Sequence, residues 1–570
     1  MTVSMCGSDR ILAMMKSTTA RLALVWTVSL VTAFGSSVIG QADDREVLRD
    51  RIDLLVTSQE TTIDGAPIAA AVLIDTLYAM RGYEPAWDDQ EMVRQLFDQV
   101  VRSAEHGLDP EDFHAAQLER RLDSDPSAVE PVFRADTEIL CTDALARLAV
   151  TLQFGKLNPV DLDPVWNFSR TIIRQDPVTY LNSVLDTRKV AEALASMGPQ
   201  NRFYRRFQQG LSDYRSIEAA GGWPTVSDGP VLQLGDRGPR VEELRNRLAV
   251  TGDLDGSAPA DPADFDPGLE TAVRSFQVRH GIDADGRVGP RTVEELNVPV
   301  EARIDQLRAS LERMRWVFRD LPPDFIVVDI AGFAAHLFRN REEIWSTRVQ
   351  VGKPYHATPI FKDKMRYVEF NPTWTIPPGI LRKETLPAIR RDPEYLGVND
   401  MSVVTSSGKV VDPSTIDWAA TATGGFPYLI RQEPGPKNAL GRVKFMFPNR
   451  YMVYLHDTPS KGLFARSERA FSHGCIRTEN PFELAELLLA DQGWDRRRIE
   501  EVMESGRTTR VDLSEPITVM LLYWTAEVGE DGTVFFRKDI YSRDAAVIAG
   551  LAEPYRFSLP DGLSEIVGDR

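Results

Sequence analysis

The segment HDTPSKGLFARSERAFSHGCIR, running from His456 to Arg477, holds two of the chain's seven histidines and one of its three cysteines. A cysteine attacks as thiolate, and an ordinary thiol is mostly protonated at neutral pH. A nucleophilic cysteine therefore needs an imidazole or a fixed positive charge beside it. Both are at hand: His456 and His473 as bases, Arg477 as the charge. Gly474, lacking a Cβ, lets the backbone turn sharply next to Cys475 and lets a substrate carbonyl come close. The amides of His473, Gly474 and Cys475 are then candidates for an oxyanion hole, where one well-placed donor contributes roughly 3 kcal/mol. Ser472, Tyr454 and Arg477 are the candidate substrate contacts, Arg477 through its planar fork. The residues alone leave the base open between His456 and His473. They also leave open whether the carbonyl or the carboxylate of Asp457 orients His456.

Local pattern frames this segment. Tyr451-Met-Val-Tyr-Leu455 reads as a strand, which puts His456 at a strand end. Asn480-Pro-Phe-Glu483 reads as N-cap, Pro at N1 and Glu at N3 of a helix through Leu489, so Cys475 is expected in the loop feeding that helix. Working outward, Phe325–Ile330, His336–Phe338, Trp345–Val351, Met365–Phe370 and Arg442–Phe447 are short period-two runs. Thr518–Tyr523 and Thr533–Arg537 are expected to pair as a hairpin across Glu530-Asp-Gly532. These runs make residues 323–545 a β-rich, sandwich-like catalytic domain, interrupted at about 378–437 by a Gly-, Pro- and Ser-rich insertion that reads as a cap over the cleft. Residues 546–570 are left as a C-terminal tail.

Upstream, Ile304, Leu307, Leu311, Met314 and Val317 mark a connecting helix within 300–322. Residues 229–299 hold three short helices, with apolar lines Val241/Leu244/Leu248, Leu269/Ala272/Val273/Phe276 and Val293/Leu296. Residues 43–228 are helical and place no titratable groups in a catalytic order; His106 and His114 read as solvated or structural. The fold class is thus multidomain α+β.

Basic Arg10, Lys16 and Arg21, the apolar run Leu22–Phe34 and the small-residue site Gly40-Gln-Ala42 have the order of a secretory signal, so 1–42 reads as a signal peptide or N-terminal anchor. Export makes the cysteines informative, because exported proteins normally pair them. With Cys6 inside the signal, only Cys141 and Cys475 remain; Cys141 lies in an amphipathic helical run and reads as core. At 570 residues the chain exceeds one ordinary core, and a formal charge of −18 argues against a nucleic-acid partner. Membrane contact is expected only through an uncleaved N-terminal segment. A zinc set of His456, His473 and Cys475 competes with acyl transfer, but His-x-Cys is not a recurrent ligand spacing. A merely buried thiol also competes. Gly474 and Arg477 serve neither alternative, so the residues favour a cysteine acyltransferase with no metal or cofactor.

His456, fifteen further residues, and Ser472-His-Gly-Cys-Ile-Arg477 resemble the signature of the L,D-transpeptidase (YkuD-type) catalytic domain. Val351-Gly-Lys-Pro354 with Thr358-Pro359, Phe370-Asn-Pro-Thr-Trp374 with Ile376-Pro-Pro378, and Asn438-Ala-Leu-Gly441 extend the resemblance. Leu234–Leu244, Phe276-Gln277 and Asp285-Gly-Arg-Val-Gly-Pro290 resemble the small three-helix peptidoglycan-binding domain. The order of scaffold, binding module and interrupted catalytic domain is similar to the large YcbB-like branch of Gram-negative envelopes. One position departs from the commonest signature: Asn480 stands three residues after Arg477. The resemblance implies an exported enzyme of the periplasm or cell envelope, whose partners are peptidoglycan stem peptides and glycan. Cys475 would attack after the L-centre of diaminopimelate and expel D-Ala, and a second diaminopimelate amine would complete a 3→3 cross-link. His456 would be the proton donor and acceptor, and carbapenems would acylate the cysteine. A same-fold hydrolase and a non-catalytic wall-binding scaffold are the alternatives.

Overall fold

The computed structural model describes residues 43–124, 129–168, 176–254, 261–319, 321–422 and 425–557; the expected export segment, with Cys6, lies outside them. In the N-terminal half, helices pack around one long helix, Pro131–Phe154, whose side chains are buried nearly all round. Cys141 sits there with no exposed surface, as the apolar pattern indicated. The helix also buries polar groups, each with partners. Glu138 accepts from the Tyr78 hydroxyl (2.6 Å) and from the amides of Ala86 and Trp87. Asp143 accepts from the Ala70 amide and pairs with His114 Nε2 (2.7 Å) and with Arg147. His114 is therefore structural and not solvated, and His106 Nδ1 is likewise held by the Tyr204 hydroxyl at 2.9 Å. A short hairpin, β1 (Thr62–Ile63) with β2 (Ala66–Pro67), interrupts the helices.

The three helices expected in the next unit form as Pro239–Val250, Pro267–Arg279 and Pro290–Leu296, each opening on a proline that needs no amide partner. Asp266 caps the second by accepting from the Leu269 amide. This module is docked, not tethered. Arg279 reaches the Tyr214 hydroxyl and the Val534 carbonyl, Arg247 lies 4.0 Å over the Trp223 ring, and His280 stacks between Phe276 and Phe536.

The expected connecting helix forms as Val300–Val317, but it is not a simple amphipathic connector. It buries Arg303, Glu312, Arg313 and Arg315 as well as its apolar seam. Each charge finds a partner, on another element or within the helix itself. Arg303 pairs with Glu295, Arg313 with Asp544 and Arg315 with Glu312, while Arg315 also donates to the His106 carbonyl and the Tyr204 hydroxyl. Charge alone marks such residues as solvated; only the surrounding partners make burial tolerable.

The C-terminal domain begins with β3 (Phe325–Asp329), β4 (Ala334–Arg339), β5 (Glu342–Gly352) and β6 (Phe361–Phe370). The insertion follows, with β7 (Trp374–Thr375), β8 (Met401–Val404), β9 (Val410–Val411) and β10 (Leu429–Gln432). Then come β11 (Val443–Met446), β12 (Leu455–His456), β13 (Ala470–Ser472), β14 (Ile476–Thr478) and β15 (Thr509–Leu522). The sheet runs β5-β14-β12-β11-β6-β15-β3-β4, and β4 pairs again with β5. Long β5 makes this possible: its first part pairs with β4 and its last residues with β14 and β13. The sandwich-like stack is thus one sheet closed on itself, with Phe361, Phe370, Phe445, Leu455 and Ile476 inside.

The insertion was expected as a helical piece and loops, and it proves to be a small domain. β7, β10, β8 and β9 form their own sheet beside the helical stretch from Pro378 to Arg391, around Ile376, Leu386, Ile389, Val403 and Ile430. Strands of two to four residues are too short to show periodicity. Asn438 Nδ2 donates to the carbonyls of Pro372 and Glu433, which pins the two roots of the insertion together.

Two further expectations change at the C-terminus. The hairpin is β16 (Ala526–Val528) with β17 (Val534–Phe536), whereas Thr518–Leu522 belongs to β15 and pairs with β3 and β6. The hairpin does not complete the barrel sheet; it packs with Phe207, Leu211, Leu307 and Leu311. The stretch read as a tail opens inside the helix Asp544–Ala552, and the Lys156 ammonium donates to the Leu551 and Glu553 carbonyls behind it.

Candidate active site

Strand register assembles the site. β12 and β14 run parallel, with Leu455 beside Ile476 and His456 beside Arg477. Side chains alternate faces along a strand, so Leu455 and Ile476 enter the core while Tyr454, His456, Cys475 and Arg477 emerge together on the other face. That face is the floor of a cleft of about 830 Å³, whose lining includes all four residues together with Trp374, Glu384 and Met452. Trp374 and Glu384 come from the insertion, which therefore walls the cleft. Cys475 lies in a turn, as expected of a loop residue, but β14 stands between that turn and the helix Pro481–Leu489. That helix lacks the capping box as well, because Glu483 accepts from Trp345 Nε1.

His456 is buried, and its Nδ1 bonds to the backbone carbonyl of Asp457. The carbonyl, and not the carboxylate, orients the ring; the Asp457 carboxylate instead accepts from the Arg442 amide and pairs with Lys461. Burial, reinforced by the Arg477 charge, lowers the imidazole pKa to about 3, so His456 is neutral at working pH. Burial raises the Cys475 thiol, opposed by contacts with Tyr454 and by the charges of Lys444 and Arg477. The Tyr454 hydroxyl is within hydrogen-bonding reach of the thiol and of Trp374, and the Cys475 Sγ lies 3.5 Å from the Met452 carbonyl. Arg477 donates to Gln350 at 3.2 Å, keeps an unpartnered buried Nε, and has no ion pair among the described residues.

The Ser472–Cys475 turn is tied together from within. Ser472 is buried; its hydroxyl donates to the Cys475 carbonyl (2.6 Å) and accepts from the Gly474 amide (3.0 Å). Ser472 thus clamps the turn from inside as well as lining the cleft, and its hydroxyl already holds the Gly474 amide. The requirement for glycine holds, since Gly474 has φ +114°. The turn is backed by Thr358, which donates to the Gly474 carbonyl and accepts from the Gly352 amide, and by Tyr541, which donates to the Gly352 carbonyl. His473 Nε2 bonds Glu384 of the insertion at 2.6 Å, whereas His456 is held by the Asp457 carbonyl. The two histidines and the thiol therefore do not converge as a ligand set, and no group of three metal-ligating side chains assembles among the described residues.

Sequence reading missed Lys444, which sits opposite His456 on β11 and under the Tyr454 ring at 4.3 Å. It also missed Gln350 and Tyr541. Lys444 falls in a recognised strand, yet nothing local tells which face of that strand meets the thiol.

Residues 323–512 match the model of the L,D-transpeptidase catalytic domain. The closed sheet is the part of the chain that carries this match. Residues 72–211 match the scaffold domain, and residues 237–296 match the "Putative peptidoglycan binding domain". A Haemophilus influenzae protein named "Putative L,D-transpeptidase" is 36% identical over 251 residues, 43% of this chain and 50% of that protein. The chain thus spans about half the length of that curated relative. Among solved structures, an L,D-transpeptidase from Stackebrandtia nassauensis is similar at 16% identity and TM-score 0.20, over 52% of this chain and 96% of its own. One from Xylanimonas cellulosilytica is similar at 17% identity and TM-score 0.18, over 52% and 100%. No described helix is long and apolar enough to cross a membrane.

Proposed function

We propose that this chain is a peptidoglycan L,D-transpeptidase of the cell envelope, forming 3→3 diaminopimelate cross-links through a Cys475 thioester. The observation that carries the reading is the shared face of Tyr454, His456, Cys475 and Arg477 on the floor of a walled cleft. With its Nδ1 proton given to the Asp457 carbonyl, neutral His456 offers Nε2 as the acceptor for the thiol proton. Because thiol and imidazole both rest neutral, that proton moves as Cys475 attacks the carbonyl of diaminopimelate. The Tyr454 hydroxyl and the Cys475 amide then serve the oxyanion in place of the Gly474 amide. His456 returns the proton to the departing D-Ala amine, and deprotonates the second diaminopimelate amine as it opens the thioester. Arg477, whose side-chain partner among the described residues is neutral Gln350, is the group for a stem carboxylate.

Incubating the chain with disaccharide-tetrapeptide and weighing the products tests this. A cross-linked dimer lacking one D-Ala is expected, along with its complete loss in Cys475→Ala. Shortened muropeptide without dimer would make the enzyme a hydrolase, and product from Cys475→Ala would remove the thiol from the reaction.

A further inference from the structure

A second concavity of about 380 Å³ lies where the three-helix module meets the barrel, and it shares no lining residue with the Cys475 cleft. Its lining brings Arg291 from the module together with Arg348, Arg466, Arg469, Arg537 and Lys538, against only Asp283 and Glu468. Six cations against two carboxylates is a strong local excess in a chain of formal charge −18. Glu479 and Glu527 pair with Arg348 and Arg537 from outside the lining, and even with these counted the cations predominate. Glu468 is divided between Arg291 at 4.0 Å and Lys538 at 3.5 Å.

Arg469 is held by neutral groups. Arg469 donates to the carbonyls of Arg466 and Phe333, and its buried Nε has no partner. Burial and the like charges of Arg348 and Arg537 lower the Arg469 pKa to about 10, a strain that a bound anion would relieve. Arg466 has no ion-pair partner among the described residues. Guanidinium forks of this kind fit carboxylates two bonds at a time. Val278, Ile282, Phe333 and Ile540 give the same lining apolar walls. A ligand with methyl groups and carboxylates uses both features, whereas free phosphate uses only the charge. The volume is within the range of small-ligand sites, about 300–1,000 Å³.

We propose that this concavity binds the acidic stem peptide of a second peptidoglycan strand, seated between module and barrel while another stem occupies the Cys475 cleft. The ligand assignment rests on the transpeptidase reading; the anion site itself rests on the lining. Ala465–Arg469 run straight into β13 and the nucleophile turn, so the two sites share one segment.

Isothermal titration of disaccharide-tetrapeptide into the full Cys475→Ala chain is expected to show two sites. In R466E/K538E on that background one site remains and the other weakens at least tenfold, while R466K/K538R keeps both. Identical isotherms for Cys475→Ala with and without R466E/K538E overturn the proposal, as does a single peptide site in every protein. Inorganic phosphate is titrated separately. Saturable phosphate binding that R466E/K538E abolishes, with no second peptide site, would make this a phosphate pocket and also overturn the assignment. Failure of the transpeptidase reading shows elsewhere, as absent product from the chain with Cys475 intact.

Discussion

At the scale of single residues, the resting site is a neutral pair. An imidazole with a pKa near 3 cannot hold the proton of a thiol raised above its usual value, so no thiolate–imidazolium pair stands ready. Alkylation of Cys475 by iodoacetamide should therefore climb about tenfold per pH unit from 6 to 8. A plateau in that window would mean a preformed ion pair. His456 also carries a stability signature. The unfolded imidazole takes a proton near pH 6.5, whereas the folded one stays neutral to about pH 3. The unfolded state thus binds more protons between these values, and this residue makes stability fall on acidification by about 1.4 kcal/mol per pH unit. His456→Gln should remove that increment, read as the pH dependence of the difference between the two proteins' denaturant curves. Cys475 and Arg477 were legible in the sequence because their chemistry is carried by residue type, whereas His456 was set above His473 only by the family resemblance. Lys444, Gln350 and Tyr541 were not, because their part depends on register and on contacts ten or more positions away.

At the scale of elements, the nucleophile turn is built by contact between two glycine-containing segments. A Cβ on Gly352 would stand 2.0 Å from the His356 carbonyl oxygen and 3.1 Å from Gly474 Cα, both backbone and unable to yield. Gly352→Ala should cost at least 1–3 kcal/mol, the usual price of overpacking, and displace the turn, seen as slowed Cys475 acylation. The insertion meets that turn through His473 and Glu384. Glu384 lies in the π-helical turn Leu381–Thr385, immediately before Pro387 removes a helical donor. The Glu384–His473 contact is exposed, so Glu384→Ala should change stability by less than about 1 kcal/mol. If the insertion steers substrate, the same variant raises KM with kcat little changed; an unaltered KM would leave the contact a surface bond only. The helices of the module and the longer strands were readable from apolar spacing. The sheet of the insertion and the true partner of β17 were not, because their strands are too short to carry a pattern.

At the scale of the molecule, the helix Val300–Val317 joins what the sequence divided. Sequence pattern gave its length and apolar seam, but its neighbours decide which charges are buried. Glu312 shows this best, accepting from the Leu157 amide and Trp316 Nε1 while pairing with wholly buried Arg315. Glu312→Ala leaves that guanidinium uncompensated and should cost about 3–5 kcal/mol in chemical denaturation. The scaffold is fastened to the barrel elsewhere too: Asn167 exchanges two hydrogen bonds with the Lys362 backbone, and the Tyr451 hydroxyl donates to the Val165 carbonyl. The peptide connection at Ser227–Val231 is, by contrast, exposed and irregular. A protease nick there should be nearly silent. The two pieces ought to leave a sizing column together and part only in denaturant, because the polypeptide link is the least of what binds them.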